Sequence, residues 1–143
     1  MADILQDFPI NASPARVYEA ISTPAGLDQW WTQRSAGSAA DGREYELWFG
    51  PQYDWRAVVT QAIKPTEFEL KMTRADADWL GTRVGFRLEG GPDKTFVRFH
   101  HVGWPEPNEH YRISSHCWAM YLRILRRFLE HGERVAYENR LDV

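Results

Sequence analysis

Apolar and polar residues alternate through the middle of the chain, which predicts a series of half-buried β-strands. The predicted strands cover residues 45–49, 55–63, 68–72, 84–88 and 97–101. Segments of turn-forming residues separate them, namely GPQYD, KPT, ADADWLG and GGPDK, and the last of these is best explained as a hairpin turn. The pattern is typical of an antiparallel meander with one buried face.

The N-terminal part of the chain predicts one strand and two short helices. Residues 4–12 form the strand, where Pro9 favours an edge position or a bend. Ser13 and Thr23 are suitable N-caps, and each precedes a proline at the first position of a helix. The second of these prolines breaks the helical pattern at about residues 22–24.

The strongest helical pattern runs from about Glu109 to His131, where apolar residues recur three and four positions apart. Asn108 can cap the start of this helix, and Gly132 suits a left-handed end. A helix of this length extends about 30–35 Å, which is enough to cross a sheet. The order of elements therefore predicts an α+β fold, in which a curved antiparallel sheet of six strands wraps around the C-terminal helix.

The composition is that of an ordinary globular protein, with 43% apolar and 26% charged residues. The length predicts a single domain over residues 1–143. A net charge of −3, with both signs interspersed, argues against a general nucleic-acid-binding function. Cys117 is the one cysteine, so no internal disulfide can form. Because no leader-like or membrane-spanning segment is evident, we expect a cytoplasmic protein in a reducing compartment.

Three segments carry a resemblance to a known family. In INASPARVYEAISTPAGLDQWW, a strand leads into a capped helix and then into a helix that ends in two tryptophans. TFVRFHHVG places a histidine and a glycine at the end of a strand, and CWAMYLRILRRFLEHG repeats leucine after a tryptophan. In this order within residues 4–132, they resemble the stand-alone bacterial proteins of the Hsp90-ATPase-activator-like family, part of the START-like or helix-grip superfamily. The sequence departs from the family pattern at Cys117, usually glycine, and at Asp41-Gly42, often two glycines.

The resemblance implies a helix-grip fold with a cavity between the sheet and the C-terminal helix. Superfamily members commonly hold lipids, sterols, polyketides or other apolar molecules there. We therefore predict that the chain binds an apolar or amphipathic small molecule, with no metal and no cofactor. Two alternatives stay open: an enzyme of the hydrolase or cyclase type with His101 as general base, and a module that contacts an Hsp90-type chaperone.

Inward-facing aromatic and polar side chains are the candidates for lining such a cavity. Trp30 and Trp31 end the second helix, and because adjacent helical positions diverge by about 100°, one should point inward and the other partly outward. His101 shares a strand face with Phe99 and either orients a ligand or is a hydrogen-bonded core histidine. Trp48 is included against the alternation, because a tryptophan on the outer face would be unexplained. The predicted lining residues are Trp31, Trp48, Phe99, His101, Trp104, Tyr111, Ser115 and Trp118.

Other kinds of site find little support in the sequence. His110 and His116 lie six residues apart on a helix, without an HExxH motif or a cysteine pair, so no metal site is expected. Motifs for a nucleophile elbow, a phosphate-binding loop and a dinucleotide site are also missing. Cys117 falls in an apolar stripe, which favours a buried, unreactive thiol. The hydroxyl of Ser115 either bonds back to the preceding helical turn or offers a polar group to the cavity.

Overall fold

A computed structural model of the chain describes residues 1–40 and 42–143. Asp41, which belongs to the loop predicted at residues 37–42 and to the departure noted above, lies outside the described residues. The strands are β1 (Ala2–Ile10), β2 (Arg34–Ala36), β3 (Glu44–Trp48), β4 (Asp54–Ile63), β5 (Glu67–Arg74), β6 (Arg83–Gly90) and β7 (Thr95–Trp104). The helices are α1 (Pro14–Ser22), α2 (Pro24–Trp30) and α3 (Glu109–His131), and a short 3-10 helix spans Tyr137–Asn139.

The strands form one antiparallel sheet in the order β1-β7-β6-β5-β4-β3-β2, with α3 packed against it. This arrangement confirms the predicted α+β helix-grip fold, although the described residues contain seven strands rather than six. The additional strand, β2, has three residues and pairs with β3. A run this short shows no alternation that a sequence pattern could reveal. Pro9 lies in the edge strand β1, as predicted.

The helix boundaries follow the predicted capping residues. Side-chain oxygens of Ser13, Thr23 and Asn108 each accept a hydrogen bond from the backbone N–H three residues later, at 3.3, 3.0 and 2.9 Å. These bonds satisfy donors that the first helical turn leaves without intrahelical partners. Gly132 ends α3 in the left-handed conformation, with φ of 66°. Local signals therefore decide where the helices begin and where α3 ends.

The helices α1 and α2 approach so closely at Gly26 that no side chain fits between them. A Cβ atom there would lie 2.5 Å from both the Cα and the carbonyl oxygen of Ala20. The same carbonyl accepts a hydrogen bond from Nε1 of Trp30 at 3.0 Å. This close contact brings the end of α2 against α3.

Both tryptophans at the end of α2 are buried, with exposed fractions of 0% for Trp30 and 3% for Trp31. Their rings stack with 5.9 Å between centroids and 22° between planes. The expectation that one of them points partly outward is wrong. Trp31 is the C-cap of α2 and has left the helix, with φ of −124° and ψ of −69°, so the 100° helical rotation no longer applies.

The long helix α3 buries one face and leaves the opposite face to charged residues such as Arg123 and Arg126, which are exposed. None of the helices in the described part of the chain combines the length and apolarity that a membrane span requires. The buried residues of α3 are Ser114, Trp118, Leu122, Ile124, Leu125 and Leu129.

Candidate functional site

A cavity of about 350 Å³ lies between α3, the hairpin of β3 and β4, and the C-terminal segment. Three of its wall residues, Tyr53, Ile113 and Leu141, have 44%, 52% and 53% of their surface exposed, so the cavity opens to solvent beside them. Its α3 wall uses positions three and four residues apart, which share one face of a helix. These residues are His110, Ile113, Ser114, Cys117, Trp118 and Tyr121.

Aromatic rings form most of the remaining wall. The ring centroid of Trp55 lies 5.5 Å from that of Phe49 and 4.8 Å from that of Trp79. Trp79 stacks on Trp118 of α3 at 6.0 Å, with 24° between the planes. The ring centroids of Trp31, at the end of α2, and Trp118, in α3, are 5.2 Å apart, so the two helices meet in the wall. Walls of this kind present ring faces and edges, which favour flat apolar or aromatic ligands.

A few polar side chains interrupt the aromatic wall, among them Asp76, His110 and Ser114. Cys117 is half-buried in the cavity wall rather than fully buried as predicted, and its partial burial raises the pKa of the thiol. Burial also raises the pKa of Tyr121 to about 12. Both groups therefore stay protonated near neutral pH and can only offer weak or neutral hydrogen bonds. A mainly apolar wall with few polar groups is the usual composition of a small-molecule pocket.

Two of the eight predicted lining residues, Trp31 and Trp118, form part of the cavity wall. Trp48 does not lie there, which corrects the expectation that it faces inward. The strand β3 buries Tyr45 and Leu47, so the alternation places Trp48 on the outer face of the sheet. The guanidinium carbon of Arg34 lies 4.0 Å from the Trp48 ring centroid, a cation–π contact that explains a tryptophan at this outer position.

The side chain of Tyr111 and the backbone of Ser115 contact β1, and neither residue lines the cavity. The hydroxyl of Tyr111 donates to the carbonyl oxygen of Asp3 at 2.7 Å. The backbone carbonyl of Ser115 accepts from Nε2 of Gln6 at 3.3 Å. The cavity takes its serine from the adjacent position, Ser114, because one residue rotates the side chain by about 100° around the helix. Neither predicted residue is therefore brought to the cavity.

Phe99 and Trp104 are core residues behind the cavity wall. Phe99 has 1% of its surface exposed and packs 4.6 Å from the ring of Trp118. Trp104 is fully buried and meets the ring of the wall residue Trp79 edge-on, with 5.8 Å between ring centroids. Both support residues of the wall without lining the cavity.

His101 is also behind the wall, and both of its ring nitrogens are engaged. Nε1 of Trp118 donates to Nδ1 of His101 at 3.0 Å, so Nε2 carries the hydrogen of the neutral ring. Nε2 then donates to Oγ1 of Thr82 at 2.8 Å, and this hydroxyl donates to the carbonyl oxygen of Trp79 at 2.6 Å. Burial lowers the pKa of His101 to about 3. A neutral imidazole with both nitrogens occupied supports the core-histidine hypothesis rather than the general base.

Most residues of the wall were not among those predicted from the sequence. Trp79 belongs to the segment ADADWLG, which was predicted as a turn, and the buried ring of a turn residue has no periodic pattern to reveal it. Cys117 and Tyr121 lie four positions apart on an apolar stripe of α3, and that stripe could have indicated them. His110 pairs with Asp78, 32 positions earlier, and no local spacing predicts such a contact.

No group of three or more histidine, cysteine, aspartate or glutamate side chains converges as a possible metal site within residues 1–40 and 42–143. His110 of the cavity wall contacts the carboxylate of Asp78, which is not itself a wall residue, at 2.9 Å. The arrangement offers a shape, an aromatic surface and a few hydrogen-bonding groups.

Comparisons with known proteins agree with this architecture. A family model described as Activator of Hsp90 ATPase homolog 1-like protein matches residues 11–130. The chain is similar to the solution structure of the Aha1 dimer from Colwellia psychrerythraea, with 30% identity over 93% of this chain and 99% of that chain. The TM-score of this pair is 0.84. A search of curated proteins gave no significant match.

Two further solved structures show the same fold at lower identity. A Bacillus halodurans protein is 24% identical over 91% of this chain and 98% of its own, with a TM-score of 0.75. CalU16 from Micromonospora echinospora is 17% identical over 98% of this chain and 84% of its own, with a TM-score of 0.74. At these identities the likeness concerns the fold alone.

Proposed function

Since the chain belongs to the family of Activator of Hsp90 ATPase homolog 1-like proteins, we propose that it binds an apolar or amphipathic small molecule between the sheet and α3. The observation that carries the proposal is the open cavity of about 350 Å³ with a mainly aromatic wall. This volume is at the lower end of the range for small-molecule pockets. A ligand there would exchange water contacts for ring contacts on several sides.

Binding is favoured over catalysis by His101. The ring nitrogens of His101 are held by Trp118 and Thr82, and the residue lies outside the cavity wall. A general base has to reach the proton that it removes, within hydrogen-bonding distance or through one water. The buried network therefore supports a structural role for this histidine.

The family description carries an alternative, action on an Hsp90-type chaperone. The cavity favours the small-molecule proposal, because its walls and its opening are features of this chain, whereas the alternative rests on the description of relatives. A pull-down with purified Hsp90 compares the two. If the chain retains Hsp90 equally well with an open cavity and with a cavity filled by a substitution, action on the chaperone is favoured over small-molecule binding.

A cavity-filling substitution tests the proposal. Cys117→Trp adds a large ring to the α3 wall, and Ala119→Trp, at an exposed position of the same helix, is the matched control. We expect 2-methoxynaphthalene to raise the melting temperature of the wild type and of the Ala119 variant, because a ligand that binds the folded state stabilises it. The Cys117 variant should show no such rise. Equal responses in all three chains, or no response in the wild type, would contradict the proposal.

A further inference from the structure

Asp78 and His110 form a polar pair in the wall region of the cavity. Asp78 lies in the turn between β5 and β6, and His110 lies in the first turn of α3 and lines the cavity. Nδ1 of His110 is 2.9 Å from both carboxylate oxygens of Asp78. Asn108, the N-cap of α3, donates to Oδ2 of Asp78 through Nδ2 at 3.3 Å. These contacts hold the carboxylate and fix the orientation of the imidazole ring.

The carboxylate determines which nitrogen of His110 carries hydrogen. Because an ionised carboxylate only accepts, Nδ1 donates and carries the N–H of the neutral ring. Nε2 then presents a lone pair, and the described residues provide it with no hydrogen-bond partner. The His110 ring is stacked on the ring of Trp79, with 6.2 Å between centroids and 30° between planes. The side chain of His110 keeps 35% exposure, so a ligand in the cavity can reach it.

A second unfilled hydrogen-bonding group lies on the neighbouring ring. Nε1 of Trp79, whose side chain also lines the cavity, is a buried donor without an acceptor in the described part of the chain. Trp79 has 6% of its surface exposed. Nε1 of Trp104, a core ring outside the cavity wall, is unpaired in the same way, so an unpaired indole N–H does not by itself indicate a ligand. The hydroxyl group of a ligand donates a hydrogen bond, which complements the lone pair on Nε2 of His110.

We infer that His110 and Asp78 recognise the hydroxyl group of a planar aromatic ligand, a phenol in chemical class. The inference rests on the proposed function and specifies its ligand. The hydroxyl donates to Nε2 of His110, and the ligand ring packs against the indole rings of the wall. Asp78 is a positioning residue, because it keeps hydrogen on Nδ1. No covalent bond forms or breaks. An ether of the same shape lacks the donor and leaves Nε2 unfilled.

The test compares 2-naphthol with 2-methoxynaphthalene, by isothermal titration calorimetry on the full chain. We expect 2-naphthol to bind the wild type about tenfold more tightly, because only the hydroxyl can donate to Nε2. In His110→Phe the two probes should bind with equal affinity, since phenylalanine keeps a stacked ring but offers no acceptor. His116→Phe, at an exposed position of α3, is the control and should keep the tenfold preference.

Asp78→Asn separates positioning from packing. The asparagine amide can donate to Nδ1 of His110, which moves the ring hydrogen to Nε2 and removes the acceptor. We expect 2-naphthol to lose its preference while 2-methoxynaphthalene binds as it does to the wild type. Nitrogen-15 NMR of the His110 ring should show hydrogen on Nδ1 in the wild type and on Nε2 in the variant. A merely structural role for Asp78 would not move this signature.

The outcomes distinguish this inference from the proposed function. Equal affinities of the two probes for the wild type, or a preference that survives His110→Phe, overturn the inference and leave small-molecule binding in place. Failure of both probes to bind the wild type overturns the proposed function and the inference together. If His110→Phe does not fold, the Asp78→Asn comparison and its NMR signature decide the matter.

Discussion

His101 shows how a single buried side chain can connect several elements. The alternation of β7 correctly predicted that it faces inward, and it is fully buried. Its ring joins Trp118 of α3 to Thr82 and, through that hydroxyl, to the backbone of Trp79. A strand pattern predicts the face of a residue, but the partners of a buried polar group come from other elements, so its role could not be predicted from the pattern.

The buried state of His101 should make the fold sensitive to acid. Burial lowers its pKa to about 3, from an ordinary value of 6.5, so the unfolded chain takes up this proton at a higher pH. The contribution to the free energy of unfolding is complete above about pH 6.5 and falls towards pH 3, by on the order of 4 kcal/mol. In His101→Gln, this contribution to the pH dependence of the free energy of unfolding should vanish. Urea unfolding between about pH 4 and 7 measures it.

His116→Gln, at an exposed position of α3, is the control for this prediction and should keep the wild-type slope. Glu69 acts in the same direction, because the hydrogen bond with His100 lowers its pKa and the associated stability is lost as pH falls. That contribution is common to both variants and cancels in the comparison. An unchanged slope in His101→Gln would contradict the account of the buried network.

Trp48 and Trp79 mark the limit of prediction at the residue scale. Alternation alone predicts Trp48 on the outer face, where Arg34 covers it, and the prediction that it faces inward was wrong. Trp79 is in a turn, where neither a period of two nor a helical period applies. Its ring is buried by contacts with Trp55 and Trp118, which lie far from it in sequence.

At the scale of elements, most of the fold was predictable because its signals are local. Three capping residues and the proline that follows Thr23 predicted the helix starts. Five alternating runs and the N-terminal segment predicted six of the seven strands among the described residues. The strand β2 was missed because its three residues are defined by pairing with β3 alone. Such pairing depends on tertiary structure, and the sequence of a three-residue segment does not predict it.

The crossing of α1 and α2 at Gly26 should tolerate no added side chain. In Gly26→Ala, the new Cβ would lie 2.5 Å from backbone atoms of Ala20, so the helices must separate and the bond from Trp30 to the Ala20 carbonyl must lengthen. We expect the free energy of unfolding to fall by about 2 kcal/mol, even though alanine favours a helix by about 1 kcal/mol over glycine. Chemical denaturation measures this change.

Ala25→Ser is the control for this helix crossing, because it adds one atom at the exposed neighbouring position. Its stability should stay within about 0.5 kcal/mol of the wild type. A Gly26→Ala chain as stable as this control would show that the two helices can separate at little cost, and the close-approach account would fail.

At the scale of the whole molecule, the cavity is assembled from segments that are distant in sequence. The end of α2, the β3–β4 hairpin, the turn before β6, α3 and the C-terminal segment each contribute to its wall. The resemblance to the family predicted the place, between the sheet and the long helix. The wall could not be predicted in the same way, because contacts such as that of His110 with Asp78 exist only after folding.

The most direct measurement uses the indole N–H signals of the seven tryptophans, recorded by nitrogen-15 NMR during titration with 2-methoxynaphthalene. Four of these residues, Trp31, Trp55, Trp79 and Trp118, line the cavity, and Trp48 lies on the outer face of the sheet. Binding in the cavity predicts the largest shifts at those four signals and the smallest at Trp48. Saturating probe that leaves the four unchanged, or that moves Trp48 as much as the others, would contradict the claim that this cavity is the binding site.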